Sequence, residues 1–565
     1  MENNNLSFSE EDFQYGYVYS LLKNYFKFNE KENEDFIKDV IKVLIEFEKI
    51  GETIIDIDKR GISFDLLKKG WPEKHISVLK ETGLIGKKYS PIILENRKIS
   101  WVKWFKRLDA IKTLINEKSN INEIEKNHKR EINKNEDINL INKILDISNI
   151  VLLQGGPGTG KSTLIIETIF SFLKNDKTLN IGLAAPTGKA SSRLRESLMK
   201  NKNRSNNMLD RIECQTLHKW LYNSLSKNRK LKFNLKELDL LIIDEMSMVG
   251  IDMIKSVFDS LSNDCIIILV GDMNQLPPIN NCSIWNDIFE NNQDRYEDIT
   301  INLKKVFRNS GDILKLSNLI SASNYKSFNS NLKELINKRV DSNINFFRNN
   351  TNKIPDDLIK EIKLFLKDLN QTTSKLSFKK YIFSDNNEDL LLREKDLVLD
   401  ILNKLNSTII LCEKNIGIWG VENINNKILE QEPPYDFYSM SEGIPIMCIE
   451  NNDELGISNG DIGVTIGKKN NRRLLFRRFN DDNQPIISLI NPSNLENVVP
   501  AIAITIHKSQ GSEASTVNLL WSKNNHDDSK DYMNSLFSFK DNYQKRLLYT
   551  AITRAKENLN IYLME

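Results

Sequence analysis

The chain is poor in the residues that most often mark metal centres and disulfide frameworks. Its 565 residues include only five histidines and five cysteines. The cysteines are Cys214, Cys265, Cys282, Cys412 and Cys448. None forms a Cys-x-x-Cys pair or clusters with histidine, which argues against a zinc site and against a stapled fold. They read as buried free thiols of a reducing compartment. No apolar run approaches the ~18–20 residues that span a bilayer. Met1 to Glu11 is polar and acidic, without the apolar core of a signal peptide. The expectation is a cytoplasmic protein with no membrane partner. Charge of one sign is also missing: 79 Lys and Arg stand against 77 Asp and Glu, a net of +2. Any basic groove for nucleic acid must therefore be local.

What is present is size and a run of chemistry. The length allows roughly three or four domains, and a hydrophobic content of 40% allows sizeable cores. Gly155-Gly156-Pro157-Gly158-Thr159-Gly160-Lys161-Ser162, followed by Thr163, lies between the apolar runs Ile150–Leu153 and Leu164–Ile166. That is the order strand, glycine loop, helix. Glycines let the loop N–H groups turn towards phosphate oxygens, and a helix N-terminus adds partial positive charge there. Lys161 is then placed for the β- and γ-phosphates and the Ser162 hydroxyl for Mg²⁺. ATP with Mg²⁺ is the expected ligand pair.

The surrounding pattern gives an organisation. Residues 1–120 read as mainly helical, with Phe36, Ile37, Val40, Ile41, Leu44 and Phe47 on one helical face. Charge-rich 117–137 marks a boundary. From 149 to 302, short strands apolar on both faces alternate with helices, as a buried parallel sheet requires. Strands are expected at 149–153, 180–184, 238–243, 265–270 and 299–302. The Asn- and Ser-rich 321–345 connects to a second α/β pattern that begins near Ser407 and resumes at 501–506 and 517–520. Between 441 and 498, strand-like pieces and turns suggest a small β-barrel insertion. The domains are expected at 1–120, 121–325 and 326–565.

Further residues carry chemistry at strand ends. Leu240–Ile243 ends in Asp244-Glu245, which fits a Mg²⁺-holding carboxylate beside one that polarises the attacking water. Val270 is followed by Gly271-Asp272-Met273-Asn274-Gln275, in which Gln275 is placed to sense the γ-phosphate. Arg308 and Arg554 are candidates for transition-state arginines, a device worth about 10³–10⁵ in rate. Pro355-Asp356 with Glu361-x-Lys363 mimics a nuclease pattern. Its spacing is tight, and Leu358, Ile362, Phe365, Leu366 and Leu369 put the segment on a helix instead.

Taken together, these pieces resemble superfamily 1 DNA helicases, and within them the RecD family. The matching pieces run in the family's order: Gly155–Thr163, Ala185–Ala190, Thr216–His218, Asp244–Val249, Gly271–Pro277, Val306–Arg308, Asn459–Gly463, Thr505–Glu513 and Tyr549–Lys556. The resemblance implies two RecA-like doubly wound parallel-sheet lobes, an SH3-like insertion in the second lobe and a helical amino-terminal docking domain. It implies an ATP-dependent motor moving 5′ to 3′ on single-stranded DNA, with Lys161, Ser162, Asp244, Glu245, Gln275, Arg308 and Arg554 at the ATPase site. Thr187, Lys189, His218, Thr505, His507 and Lys508 are similar to the family's DNA track. Sequence-blind hydroxyl and lysine contacts to phosphate suit a translocating motor. A packed structural histidine is the lesser reading of His507. RecB-like and RecC-like subunits are the implied partners, in double-strand break repair and recombination. The short amino-terminal region favours that over a stand-alone helicase of the same group, and the intact Glu245, Gln275, Arg308 and Arg554 argue against a nucleotide-gated DNA-binding scaffold. In place of the glutamine expected about 17 residues before the loop stand Asp137-Ile138-Asn139-Leu140, so selectivity for adenine is not implied.

Overall fold

The computed structural model describes residues 10–26, 31–58, 64–119, 136–200, 209–225, 232–278, 283–291, 293–306, 311–322, 343–349, 353–376, 394–452, 455–479, 485–522 and 542–564. Cys282 and Arg308 lie outside them.

The first sheet has six strands, in the order Ile212–Thr216, Ile181–Ala185, Leu240–Ile243, Ile266–Gly271, Ile150–Gly155 and Thr300–Leu303. Every pairing is parallel, with Leu152 opposite both Leu269 and Thr300. All residues of Ile150–Gly155 and Leu240–Ile243 are buried, as strands covered by helices on both faces must be. The glycine loop, Thr187, His218, Asp244 and Asp272 follow successive strand ends, at the edge where open parallel sheets bind ligands.

One strand departs from the expected pattern. Ile212–Thr216 stands in a stretch whose pattern reads as helical. It is an edge strand carrying Glu213 and Gln215, so it lacks the two-sided apolar signature.

A second parallel sheet follows, in the order Ile344–Asn349, Ala555–Met564, Ala514–Ser522, Thr408–Cys412 and Ala503–Thr505. Here too the edge strand is not anticipated: Ile344–Asn349 begins at the end of the Asn- and Ser-rich connector 321–345. The helix Asp356–Thr373 buries Leu358, Ile362 and Leu369. Its Glu361 accepts from Asn518 Nδ2 at 3.3 Å, so the nuclease-like pattern lies along a single helix. Between the strands of this sheet comes an antiparallel sheet of five, Pro485–Ile490, Arg473–Phe479, Ile462–Ile466, Pro445–Cys448 and Val498–Pro500.

The amino-terminal region combines helices with a small sheet. The helices Glu10–Phe26, Lys31–Lys49 and Glu73–Glu81 enclose a three-stranded antiparallel sheet, Ile55–Asp56, Lys98–Trp101 and Ile92–Glu95. They share a core of their own around Ile37, Ile41 and Leu79. The next helix, Val102–Ser119, packs elsewhere. Its Trp104, Leu108, Ile111 and Ile115 join the core of the first parallel sheet, and Lys112 pairs with Asp287 at 2.6 Å. No helix among the described residues is long and apolar enough to cross a membrane. Cys214, Cys265, Cys412 and Cys448 are buried and free.

Candidate functional site

The glycine loop leaves the strand Ile150–Gly155 and enters the helix Lys161–Asn175. Gly158 and Gly160 take φ of +76° and +83°, a region that side-chain-bearing residues enter at a cost. A Cβ on Gly155 would meet Thr159 Oγ1 at 2.7 Å, and that hydroxyl donates to Gly156 O at 2.8 Å. Lys161 Nζ donates to Gly155 O at 2.5 Å and to Gly156 O at 3.1 Å. The lysine is thus folded onto its own loop, and its ammonium sits where phosphate oxygens would replace those carbonyls.

Gly156 to Thr163 line a cavity of about 200 Å³ with Asp244, Glu245 and Gln275, all from the first sheet's strand ends. Asp244 is buried, and its carboxyl is raised above the usual range by burial and then by the charge of Glu245, with Lys161 opposing. Glu245 holds φ of +55°, a left-handed strain of the kind kept at functional sites. Gln275 Oε1 is buried with no partner. Lysine, hydroxyl, paired carboxylates and an idle amide oxygen fit a Mg²⁺–nucleoside triphosphate. Among the described residues no cluster of His, Cys, Asp and Glu binds a metal without phosphate help.

The second lobe closes the cavity. Arg554 is buried there, donating from Nε to Thr550 O at 3.0 Å and from Nη1 to Ser512 O at 3.1 Å. Two groups to which sequence reasoning gives no role also link the lobes. Arg193, in the helix Gly188–Lys200, donates to Gly511 O at 3.1 Å and pairs with Glu513 at 2.9 Å. The buried Asp272 accepts from Tyr549 Oη at 3.1 Å, and burial raises its carboxyl. Leu276 N donates to Thr550 Oγ1 and Gln510 Nε2 to Leu276 O, both at 3.2 Å, so the two lobes are in direct contact. The helical spacing of Ala190, Arg193 and Leu194 is the available signal for Arg193, since one face of that helix lines the cavity. A second cavity, of about 270 Å³, flanks the other side of Gly156–Thr159 and is lined by Asn274, Lys304, Ser317, Tyr549 and Lys556 among others. Asp137–Leu140 belongs to neither lining.

The six residues read as a DNA track lie outside the nucleotide cavity, at or just after strand ends of both parallel sheets. Thr187 Oγ1 accepts from Ala190 N at 3.2 Å, starting the helix Gly188–Lys200. Lys189 Nζ is shut off from solvent without a hydrogen-bond partner, and burial lowers the ammonium to about 8. His218 is exposed. Thr505 Oγ1 accepts from Lys508 N at 3.3 Å. His507 stacks on Tyr543, and its Nε2 lies 2.9 Å from the Tyr543 hydroxyl. Burial lowers both His507 and Lys508.

Comparison with known proteins adds to this geometry. Residues 140–281 match the family model described as an AAA domain, and 500–562 match the UvrD-like helicase C-terminal domain. The RecBCD enzyme subunit RecD of Buchnera aphidicola subsp. Acyrthosiphon pisum (strain APS) is 31% identical over 97% of this chain and 89% of its own. The subunit of the same name from Buchnera aphidicola subsp. Schizaphis graminum is 33% identical over 76% of this chain and 73% of its own. A solved Bacteroides Pif1 bound to ssDNA covers 76% of this chain and 92% of its own at 17% identity, with a TM-score of 0.37, too loose a likeness to carry weight. With an identity above 30% spread over nearly its full length, the chain belongs to the RecD family of superfamily 1 helicases and is a DNA helicase with ATPase activity.

Proposed function

We propose that the chain hydrolyses ATP to translocate 5′ to 3′ on single-stranded DNA, as the motor subunit of a RecBCD-type helicase–nuclease. One observation carries the reading. Lys161, Ser162, Asp244, Glu245 and Gln275 of one lobe and Arg554 of the other line a single cavity. In it the loop N–H groups and Lys161 hold the β- and γ-phosphates. Ser162 and Asp244 hold Mg²⁺, which when bound neutralises phosphate charge. Glu245 and Gln275 orient the attacking water. Arg554, with Arg308, stabilises the charge that develops on the transferred phosphoryl. The second cavity takes the base, and its lining offers amide, hydroxyl and lysine groups rather than the family's upstream glutamine. Thr187, Lys189, His218, Thr505, His507 and Lys508 grip the strand from both lobes. The antiparallel sheet is taken as the SH3-like insertion and the amino-terminal region as a docking domain for RecB-like and RecC-like subunits.

The relatives named above are RecBCD subunits, which supports the proposed assembly, and the direction is taken from the family resemblance. Lys161→Ala should abolish DNA-stimulated ATP hydrolysis while thermal melting shows an intact fold. Undiminished turnover in that variant would overturn the site. Substrates with opposite single-stranded overhangs test direction, and unwinding only from a 3′ overhang would refute it. Co-purification from the native cell with two larger subunits supports the assembly, whereas a lone active motor refutes it.

A further inference from the structure

Two segments far apart in the chain meet over the first-lobe end of the proposed track. Thr187 and the first turn of the helix Gly188–Lys200 follow the strand Ile181–Ala185, and the turn 458–461 precedes the strand Ile462–Ile466 of the antiparallel sheet. A Cβ on Gly188 would lie 2.1 Å from Ser458 Cβ, so glycine is what lets the turn come this close. A few residues on, Arg477 of the antiparallel sheet pairs with Glu196 at 3.0 Å, which anchors the same contact. The turn is internally braced. Gly460 takes φ of +89°, Ser458 N donates to Asp461 Oδ2 at 2.7 Å, and Asp461 N donates to Ser458 O at 3.0 Å.

Lys189 lies at this contact. Its Nζ is enclosed and unpartnered, an ammonium with three donors and nothing to receive them. Such a group is costly unless something completes it. The Asp461 carboxylate is the anion whose charge acts on it, and the charges of Lys219 and Arg195 act on the same carboxylate. Lys219 stands on the exposed start of the helix Leu217–Leu225, and Arg195 is braced by donating from Nε to Cys214 O at 2.9 Å. Arg193 and Arg554 add further positive charge on the side of Lys189. The Asp461 carboxylate, without a direct bond to the buried amine, fills the place imperfectly. A phosphate diester carries the same single charge with more acceptor positions and a longer reach.

We propose that Lys189, Arg195 and Lys219 form a phosphate subsite of the DNA track, that the Asp461 carboxylate occupies it in this conformation, and that a single strand enters only as the turn 458–461 withdraws. The inference rests on the reading of Lys189 as a track residue. Because the turn belongs to the antiparallel sheet inserted in the second parallel sheet, its withdrawal is tied to movement of the second lobe against the first. DNA entry and lobe opening are then one event.

The test is binding of a fluorescent oligo-dT to the full chain without nucleotide, over a range of salt. Asp461→Asn removes the charge yet keeps an oxygen that can accept from Ser458 N. It should bind roughly tenfold tighter, the scale of an interaction with a charged group. The salt dependence should steepen by about 0.7 for each further phosphate neutralised. Lys189→Ala should weaken the wild-type chain and erase the tighter binding in the double variant. Equal or weaker binding by Asp461→Asn, with Lys189→Ala still weakening, overturns the gate and leaves the track reading standing. If Lys189→Ala has no effect, the track reading fails and takes the gate with it. Should Asp461→Asn not fold, amide hydrogen exchange of the wild-type chain decides. Added oligo-dT should speed exchange at Ser458 and Asp461, whose N–H groups brace the turn, and unchanged or slower exchange there overturns the proposal.

Discussion

Removing the Arg554 guanidinium tests the proposed ATPase site most directly, because the structure separates its two jobs. The side chain is 2% exposed and bonds to Thr550 O, Ser512 O and Thr553 Oγ1. Arg554→Ala leaves those acceptors short of a donor in a buried place. Each buried group left unsatisfied costs about 1–3 kcal/mol, an upper bound here because Thr550 O keeps a second donor in Thr553 Oγ1. The structural loss is therefore a few kcal/mol, visible as a lowered melting temperature. The catalytic loss is of a different order. An arginine that meets transition-state charge is worth about 10³–10⁵ in turnover, or roughly 4–7 kcal/mol. Arg554→Lys separates the two, since it keeps a charge in the cavity but lacks the fork that reaches two carbonyls and a phosphoryl group at once. DNA-stimulated ATPase at saturating ATP should fall about 10³-fold or more in both variants. Nucleotide affinity, read with a fluorescent ATP analogue, should change less than about tenfold, because the interaction belongs to the transition state. A folded Arg554→Lys protein with turnover within tenfold of wild type would refute the role.

Two further substitutions test the first lobe. Burial and the neighbouring Glu245 raise the Asp244 carboxyl, so its charged form is a liability without a cation. A carboxyl raised on folding stabilises the fold when protonated, below its unfolded value, and that contribution is lost as pH rises through the folded value. Asp244→Asn should therefore stabilise the nucleotide-free chain at neutral pH by on the order of 1–3 kcal/mol, with the gain shrinking in acid, while ATPase is lost; melting curves at several pH values check it, and a destabilised variant at neutral pH would contradict it. Gly271→Ala would place a Cβ 2.6 Å from the Trp285 ring, which is fixed by donation from Nε1 to Gln154 Oε1 at 3.0 Å. Overpacking of this kind costs about 1–3 kcal/mol, and denaturant unfolding that shows no loss would mean the ring can move.

The parts of the site that are legible in the sequence are those a single segment specifies. Gly155–Thr163 announces itself because the loop needs glycine at 158 and 160 and is flanked by the apolar runs Ile150–Leu153 and Leu164–Ile166. Asp244-Glu245 is visible because two carboxylates end a strand buried at every position. Edge strands escape for the opposite reason. Ile212–Thr216 and Ile344–Asn349 each have only one neighbour, so they need not be apolar on both faces. The bond from Tyr549 to Asp272 is beyond reach because 277 residues separate its ends. The enclosure of Lys189 escapes likewise, since a turn near 460 closes a loop near 188 and no local pattern pairs them.

The pairing of Arg193 with Glu513 suggests how the proposed track and the nucleotide cavity communicate. In the first lobe, 187–193 begins at the track residues Thr187 and Lys189 and ends at Arg193 in the cavity. In the second, 505–513 begins at Thr505, His507 and Lys508 and ends at Glu513, also in the cavity. Each lobe thus has one short segment running from strand to fuel, and the 2.9 Å ion pair joins their ends. Glu513 does not move alone. Ala514 opposes Ala555 in parallel register and Ala514 N donates to Arg554 O at 3.0 Å, so Glu513 and Arg554 sit side by side at the start of paired strands. A shift that breaks the ion pair must also move the proposed transition-state arginine. A double-mutant cycle with Arg193→Gln and Glu513→Gln isolates this link. Each single variant should raise the DNA concentration needed for half-maximal ATPase stimulation by roughly three- to tenfold. The double variant should be no worse than the poorer single, a coupling of up to about 1 kcal/mol, since the Arg193 side chain is 37% exposed and solvent screens the pair. Additive losses would show that the two charges act separately, and coupling between strand and fuel would then have to pass through the Leu276–Thr550 and Leu276–Gln510 contacts instead.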